Sequence, residues 1–310
     1  MSGVIVRTCA KVNLCLRVMG RRRDGYHNVQ TVLQAIGLWD CLNLLPLEEE
    51  KRIVLRVTGE EVPSNGTNLC WQAAQVLAEH ARMRGGVAIE LQKTIPVAAG
   101  LGGASSDAAA TLAGLARLWC LDLKDDALEA LGAEIGSDVP FFLRGGCCLG
   151  RETGEKLDSL PAPVLWLVVV TPDQRVPTAK AYAALDRGAS RGRRRALSRA
   201  VRRAVDAVKS GDPGAVAQVL HNDFEDLRMP GLEEAREAKA ALLRAGCLGA
   251  SVSGSGSAVF GIAADREIAE EVASGMRDRW TWVQVARSLQ AREGMVISEL
   301  AERPQQWSTR

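Results

Sequence analysis

Aromatic side chains are scarce in this chain. Phenylalanine, tryptophan and tyrosine together make up 4% of its 310 residues, and just two residues are tyrosine. A surface that stacks on many nucleic-acid bases needs more rings than this. Basic and acidic residues also nearly balance, 39 against 37, for a formal net charge of +2. Because no strong overall field draws the chain to polyanions, we expect no nucleic-acid partner.

The cysteines and histidines lack the spacing of a metal site. None of the eight cysteines forms a Cys-x-x-Cys pair, and the chain has three scattered histidines. This pattern argues against a zinc centre or a disulfide framework. Most of the cysteines stand among aliphatic residues, which favours small buried side chains in a reducing compartment. We therefore predict no metal-ligating residues and no prosthetic group.

Long apolar runs are missing as well. No stretch approaches the roughly 20 apolar residues that a membrane-spanning helix needs. The opening residues, MSGVIVRTCAKVNLCL, have no basic leader followed by an apolar core and a small-residue cleavage site. The sequence therefore predicts a cytoplasmic protein without a membrane partner.

Patterns of both strands and helices occur along the chain. Apolar residues alternate in 4–18 and 52–59, as in half-buried strands, whereas 68–83 and 106–119 have helical periodicity. No repeat of solenoid period is present. We predict an α+β fold with a composition break near residues 150–160. The predicted domains are residues 1–155 and 156–288, followed by an extension, 289–310, to which the sequence assigns no role.

A glycine-rich stretch, PVAAGLGGASS, stands between a predicted strand that ends near Ile95 and a predicted helix that starts near Ala104. We call residues 96–106 the glycine loop. Free N–H groups at a helix start and the positive end of the helix dipole favour an anion there. Two hydroxyls, of Ser105 and Ser106, stand in the first turn. The stretch fits neither Gly-Lys-Ser/Thr nor Gly-x-Gly-x-x-Gly. It predicts either a phosphate cradle or a tight strand–helix turn.

The whole stretch resembles the phosphate loop of the GHMP small-molecule kinases, with Ala104 where a third consecutive glycine is usual. That resemblance implies ATP binding by the entire loop: Pro96, Val97, Ala98, Ala99, Gly100, Leu101, Gly102, Gly103, Ala104, Ser105 and Ser106. A methyl group at position 104 suits a helix-start backbone, so we expect the loop to keep its shape.

Three more stretches narrow the resemblance. AKVNLCLRVMGRRRDGYHNVQTVLQAI (10–36), GSDVPFF (136–142) and SVSGSGSAVF (251–260) are similar, in order and spacing, to one family of these kinases. That family phosphorylates 4-diphosphocytidyl-2-C-methyl-D-erythritol in the non-mevalonate isoprenoid pathway. The resemblance implies a two-domain GHMP kinase fold: an N-terminal domain like the second domain of a small-subunit ribosomal protein, and a ferredoxin-like α/β C-terminal domain.

The same resemblance implies two catalytic residues. Asp138 matches the family's general base, and Lys11 matches its active-site lysine, which would stabilise the transferred charge. Asn13 shares a strand face with Lys11, so it would bind substrate or orient Asp138. By position alone, Asp138 also suits a helix cap before Pro140, and Lys11 suits a strand residue that points to solvent.

Four further residues are implied to bind the substrate. Tyr26 and His27 would stack on and pair with the cytosine, although an isolated Tyr-His pair also fits a core ring beside a surface histidine. Tyr182 matches a second aromatic residue over the cytosine, and Thr178 matches a hydroxyl near the diphosphate. Residues 254–256 would be structural neighbours of this site.

The expected co-substrate is ATP with Mg²⁺, and the expected partner is the small-molecule alcohol. Two alternatives stay open: another GHMP kinase acting on mevalonate, homoserine or a sugar, or a nonenzymatic nucleotide- or RNA-binding module. The arginine-rich stretch 187–203 favours a solvated face over RNA binding because charge runs usually face water. A monomer or a homodimer is expected.

Overall fold

The computed structural model describes residues 3–186 and 196–300. Its strands, in chain order, are β1 (Gly3–Arg21), β2 (His27–Glu50), β3 (Ile53–Gly59), β4 (Gly85–Lys93), β5 (Cys147–Glu152), β6 (Lys156–Leu160), β7 (Trp166–Thr171), β8 (His221–Asn222), β9 (Gly249–Val252), β10 (Val259–Ala263), β11 (Trp282–Arg287) and β12 (Met295–Leu300). The helices are α1 (Leu69–His80), α2 (Gly103–Leu118), α3 (Asp125–Ile135), α4 (Val139–Arg144), α5 (Thr178–Asp186), α6 (Arg199–Ser210), α7 (Pro213–Gln218), α8 (Leu232–Arg244) and α9 (Arg266–Met276). This mixture of helices and strands confirms the predicted α+β class.

The strands form two sheets. The larger has the order β12-β1-β2-β4-β3, with β5 and β6 added beside β2 and β8 beside β1. The smaller is antiparallel in the order β11-β7-β10-β9. Since β8 and β12 come from the second half of the chain, membership of the larger sheet does not end at residue 155. The domain limits given above therefore stay a prediction.

The C-terminal extension takes part in the larger sheet. β12 pairs antiparallel with β1 from Gly3 opposite Leu300 to Thr8 opposite Met295. An extension to which the sequence assigned no role thus covers the outer edge of β1 over residues 295–300. Residues 301–310 lie outside the described part of the chain.

Helix α2 packs on the larger sheet through small side chains. Ala108, Ala109 and Leu112 are fully buried. A methyl group at Gly114 would stand 2.4 Å from Leu44 Cδ1, so the helix lies too close to β2 for a larger residue there. Close packing of this kind fixes the direction in which the start of α2 points.

A shared core joins the two sheets. Val12 and Leu14 of β1 pack in one buried cluster with Leu167 of β7 and Phe260 of β10. Because side chains alternate along a strand, Lys11 and Asn13 of β1 point to the face opposite Val12 and Leu14. Among the helices of residues 3–186 and 196–300, none combines the length and the apolar character of a membrane-spanning segment.

The arginine-rich stretch falls largely outside the described residues, which resume at 196. Its described end forms the start of α6, capped by Ser198, whose Oγ accepts a hydrogen bond from the N–H of Val201. Val201 is buried, whereas Arg202 and Arg203 are exposed. That part of the stretch has the solvated helix face that was expected.

Candidate functional site

A cavity of about 480 Å³ lies between β1, the glycine loop and the turn that joins β9 to β10 of the smaller sheet. Every residue of the glycine loop from Pro96 to Ser105 lines it. The start of α5 and Gly254 and Ser255 close the opposite wall. Sequence motifs more than 150 residues apart therefore share one cavity.

The glycine loop bends sharply before α2. Its last residue before the helix, Gly102, has φ +75°, a left-handed conformation that side chains rarely adopt, and it has no side chain to cap the helix. The N–H groups of Gly103, Ala104 and Ser105 belong to the first helical turn, where backbone acceptors are lacking. They carry the positive end of the helix dipole to the cavity. Ala104 stays helical with its methyl group exposed, so the loop keeps its shape as expected.

Close approach at Gly100 involves protein rather than ligand. A methyl group there would stand 2.0 Å from the carbonyl oxygen of Ser253. Ser253 Oγ donates to the Gly100 carbonyl at 2.9 Å, and the Ala258 N–H donates to the Ala99 carbonyl at 3.0 Å. We call residues 253–257 the serine turn. The Ser253 side chain and the backbone of Ala258, the residue after the turn, hold the glycine loop in place, and Gly254 and Ser255 line the cavity.

Ser106 does not serve the cradle, and the expectation for its hydroxyl is wrong. Its side chain is fully buried, and its Oγ donates to the Cys9 carbonyl at 2.5 Å. Its N–H donates to the Gly102 carbonyl at 2.9 Å. Neighbouring helical residues point about 100° apart, so Ser106 faces the core while Ser105 faces the cavity.

Lys11 points into the cavity, which excludes the solvent-facing alternative. It is 3% exposed, and its Nζ donates to Asn13 Oδ1 at 2.6 Å. Asn13 Oδ1 also accepts the Gly254 N–H at 2.9 Å, and Asn13 Nδ2 donates to Thr31 Oγ1 at 2.8 Å. Asn13 therefore orients Lys11 rather than Asp138. Burial lowers the pKa of Lys11 below its ordinary value of 10.5, and the negative charge of Asp138 opposes that shift.

Asp138 stands at the N-cap position of α4 but makes no capping hydrogen bond. Its side chain is 35% exposed, and its Oδ2 lies 3.9 Å from Lys11 Nζ. Asp138 thus occupies the helix-cap position, as the alternative predicts, but its carboxylate does not cap the helix. A partly exposed carboxylate that caps no helix and lies beside a buried ammonium is available to accept a proton from a bound hydroxyl.

His27 and Tyr182 form a stacked pair, with ring centroids 4.7 Å apart and planes 29° apart. His27 Nε2 lies 2.7 Å from Asp186 Oδ1, a partner that the sequence did not suggest. Tyr182 lines the cavity, and its ring also meets Phe224 edge-on at 4.9 Å. Burial raises the pKa of the Tyr182 phenol, so it stays a neutral hydroxyl.

Tyr26 stands apart from this pair. It is 65% exposed in the turn between β1 and β2, and it is not among the residues that line the cavity. Thr178, by contrast, lines the cavity at the first residue of α5, and its Oγ1 lies 3.0 Å from Ser255 Oγ. Thr178 and Tyr182 are thus gathered with Lys11 and Asp138, Tyr26 is not, and His27 reaches the cavity through Tyr182.

The sequence missed the far end of the cavity. Val62, Pro63, Asn68 and Leu69 also line it. Asn68 caps α1, with its Oδ1 accepting the Cys70 N–H at 2.9 Å. The asparagine before a helical pattern does signal a helix start. Nothing in that signal indicates a binding site.

A buried charge cluster, Lys93, Asp40 and Asp107, was also missed. Lys93 Nζ contacts Asp40 Oδ2 and lies 2.9 Å from Asp107 Oδ2. A methyl group at Gly103 would stand 2.6 Å from Lys93 Nζ, so the cluster lies directly against the start of α2.

Comparisons with known proteins agree on one group of enzymes. The model of the GHMP kinases N terminal domain matches residues 68–146, and that of the GHMP kinases C terminal matches residues 204–281. A 4-diphosphocytidyl-2-C-methyl-D-erythritol kinase from Heliobacterium modesticaldum is 40% identical over 299 residues, which cover 92% of this chain and 95% of that protein.

Two solved structures share the fold. A crystal structure of 4-(cytidine 5'-diphospho)-2C-methyl-D-erythritol kinase has a TM-score of 0.71 at 32% identity and covers 92% of this chain and 98% of that one. A homoserine kinase from Cytophaga hutchinsonii has a TM-score of 0.75 at 21% identity, covering 96% of this chain and 98% of that one. The second likeness bears on the fold alone.

Proposed function

This chain belongs to the 4-diphosphocytidyl-2-C-methyl-D-erythritol kinase family of the GHMP kinases, and we propose that it phosphorylates the 2-hydroxyl of that compound with ATP. One observation carries the proposal. The Asp138 carboxylate, which does not cap its helix, and the buried Lys11 ammonium lie 3.9 Å apart, in the cavity that the start of α2 also lines. A base, a cation and a phosphate cradle are what phosphoryl transfer to an alcohol requires.

Asp138 is the proposed general base. Its carboxylate would accept the proton of the 2-hydroxyl while the alcohol oxygen forms a bond to the terminal phosphorus of ATP. The bond from that phosphorus to the bridging oxygen breaks, and ADP leaves with the electron pair. A positioned base contributes about 10²–10⁴-fold to the rate of such a step.

Lys11 is the proposed electrostatic partner. Its ammonium is held by Asn13, at 2.6 Å, and so stays near the reacting atoms. A buried cation stabilises the charge that develops on the phosphoryl oxygens more than an exposed one does, because water does not screen it. It also lowers the free energy of the alkoxide as the hydroxyl loses its proton.

ATP would bind along the glycine loop as its magnesium complex, in which the ion is part of the co-substrate. The N–H groups of Gly103, Ala104 and Ser105 are the proposed donors to its phosphates. Val62, Pro63 and Leu69 offer an apolar wall for its base at the far end of the cavity. In the described residues, no cluster of three or more acidic, cysteine or histidine side chains forms a separate metal site.

The acceptor would occupy the opposite end. Tyr182, supported by the His27 stack, offers an aromatic face for the cytosine, and Thr178 with Ser255 offers hydroxyls for its diphosphate. Tyr26 remains a predicted second contact, which the exposed turn would have to bring inward. This end of the cavity favours the proposed acceptor over mevalonate, homoserine or a sugar, since none of these has an aromatic base to stack on Tyr182.

A panel of alcohols tests the proposal. Release of ADP would be followed with 4-diphosphocytidyl-2-C-methyl-D-erythritol, mevalonate, homoserine and galactose under identical conditions. We expect kcat/KM for the first to exceed the others by at least about 10³-fold, because the cytosine contributes binding that the others lack. Faster turnover of any other alcohol would contradict the proposed substrate. Failure to turn over any of the four alcohols would contradict the proposed kinase activity.

A further inference from the structure

The buried charge cluster ties together three elements around the glycine loop. Asp40 comes from β2, Lys93 ends β4, and Asp107 lies in the second turn of α2; all three are at most 3% exposed. Asp40 Oδ1 accepts the N–H groups of Thr94 and Ile95 at 2.6 and 2.9 Å. The cluster thus fixes the chain both where it leaves β4 and where it enters α2.

The charges of the cluster do not balance if both acids are ionised. Two carboxylates and one ammonium would leave a net charge of −1 against the start of α2. Asp40 offers only acceptors, since Lys93, Thr94 and Ile95 all donate to it. Asp107 differs, because its Oδ1 is buried and has no hydrogen-bond partner among the described residues. An ionised oxygen in that position is costly, so the extra proton belongs on Asp107.

The surroundings of Asp107 agree with this assignment. Burial raises its pKa to about 8. The Lys93 charge opposes this rise, whereas the negative charge of Asp40 and its side-chain hydrogen bond with Asp107 add to it. From α1, Cys70 also faces the cluster, and burial raises the pKa of its thiol so that it stays neutral. Thr111 Oγ1, one turn along α2, donates to the Asp107 carbonyl at 2.8 Å.

We propose that Lys93, Asp40 and Asp107 form a positioning unit for the phosphate cradle, in which Asp107 holds a proton that keeps the unit uncharged beneath the triphosphate. The inference rests on the proposed function for the location of ATP. Loss of that proton would place a negative charge next to the phosphates. ATP binding should therefore weaken as the pH rises through the pKa of Asp107.

Calorimetric titration of MgATP into the intact protein, without acceptor, tests the unit between pH 7.5 and 9.5. We expect Kd to rise by about tenfold across this range, as for one new like charge near the ligand. Asp107→Asn, whose amide mimics the neutral acid, should flatten that rise. Burial also lowers the pKa of Lys11, so Lys11 contributes to the alkaline rise of Kd in both proteins. The difference between their slopes of Kd against pH therefore reports on Asp107.

Asp40→Asn is the matched comparison. Its amide NH₂ group would face donors, so we expect it to raise Kd about tenfold more than Asp107→Asn does at pH 7.5. Equal effects of the two substitutions, or an alkaline rise in Kd that is as steep in Asp107→Asn as in the unsubstituted protein, would overturn the inference. If Asp40→Asn fails to fold, the slopes of the unsubstituted protein and Asp107→Asn decide alone.

The outcome is separable from that of the proposed function. If the protein turns over 4-diphosphocytidyl-2-C-methyl-D-erythritol but its Kd for MgATP does not change with pH, the proposed positioning unit is rejected and the proposed kinase activity is retained. If Kd shows the expected pH dependence but that alcohol is not turned over, the positioning unit is retained and the proposed substrate is rejected.

Discussion

Two lysines touch neighbouring glycines of the glycine loop, and their surroundings are opposite. Lys11, against Gly102, has one amide acceptor at 2.6 Å and a carboxylate no nearer than 3.9 Å. Lys93, against Gly103, contacts two buried carboxylates. Burial lowers the pKa of Lys11, whereas interactions with Asp107 and Asp40 outweigh burial and raise that of Lys93.

The difference separates a reactive group from a supporting one. Lys93 and Asp107 also line the cavity, but the Lys93 ammonium is already paired with two acidic side chains and has little left to offer a ligand. Around Lys11, the Asp138 carboxylate makes no capping hydrogen bond and lines the cavity. Substitutions of Lys11 or Asp138 should therefore lower turnover, and substitutions in the buried charge cluster should lower stability.

The largest expected effect is that of Asp138→Asn on turnover. Removal of the base should lower kcat by about 10²–10⁴-fold. Because the carboxylate is partly exposed and caps nothing, the free energy of unfolding should change by less than about 0.5 kcal/mol. Steady-state kinetics and thermal melting measure the two. Asp158→Asn, at an exposed ion pair with Arg151, is the control. Retention of full kcat would remove Asp138 from the mechanism.

Lys93→Met should act in the opposite way. The methionine leaves the Asp40 carboxylate buried without its cation, and loss of one partner of a buried ion pair costs about 3–5 kcal/mol. Chemical unfolding should detect this loss. Lys156→Met, at an exposed lysine, should leave the free energy of unfolding nearly unchanged. A stable Lys93→Met protein would contradict the distinction between the two lysines.

Lys11→Met should again lower turnover. We expect kcat to fall by about 10²–10³-fold, as when one electrostatic contact to the transition state is lost. Its stability should fall less than that of Lys93→Met, since burial already disfavours the Lys11 charge. Lys156→Met serves as the control here as well. A Lys11→Met protein that is destabilised but as active per folded molecule would make Lys11 structural.

The sequence predicted Lys11, Asp138 and the glycine loop because each belongs to a contiguous motif. It did not predict the cluster, since Asp40 and Lys93 lie 53 positions apart and meet through the register of β2 and β4. Ser106 was misassigned because motif letters do not say which side of a helix packs on the sheet. Tyr26 and Tyr182 were both assigned to the cytosine from the sequence, and only the tertiary fold separates the exposed ring from the one at the cavity.

The two tyrosines give a smaller effect that sharpens this point. Loss of a base–aromatic stack costs about 1–3 kcal/mol, so Tyr182→Leu should raise KM for 4-diphosphocytidyl-2-C-methyl-D-erythritol by about 5–150-fold. The KM for ATP should stay the same because Tyr182 lies at the acceptor end. Tyr26→Leu is the matched variant and should have the lesser effect. A larger effect of Tyr26→Leu would mean that the exposed turn closes over the acceptor.

The smallest expected effect concerns the pH dependence of kcat at saturating ATP. A lysine loses its charge as the pH rises through its pKa, and burial brings that point for Lys11 below the ordinary value of 10.5. At that pH, kcat should have fallen by about half. Lys93 keeps its charge over the same range because its pKa is raised. Lys11→Arg should move the fall to higher pH, since a guanidinium stays charged. An alkaline fall that Lys11→Arg leaves in place would assign it to another group, and the contrast between the two lysines would then rest on stability alone.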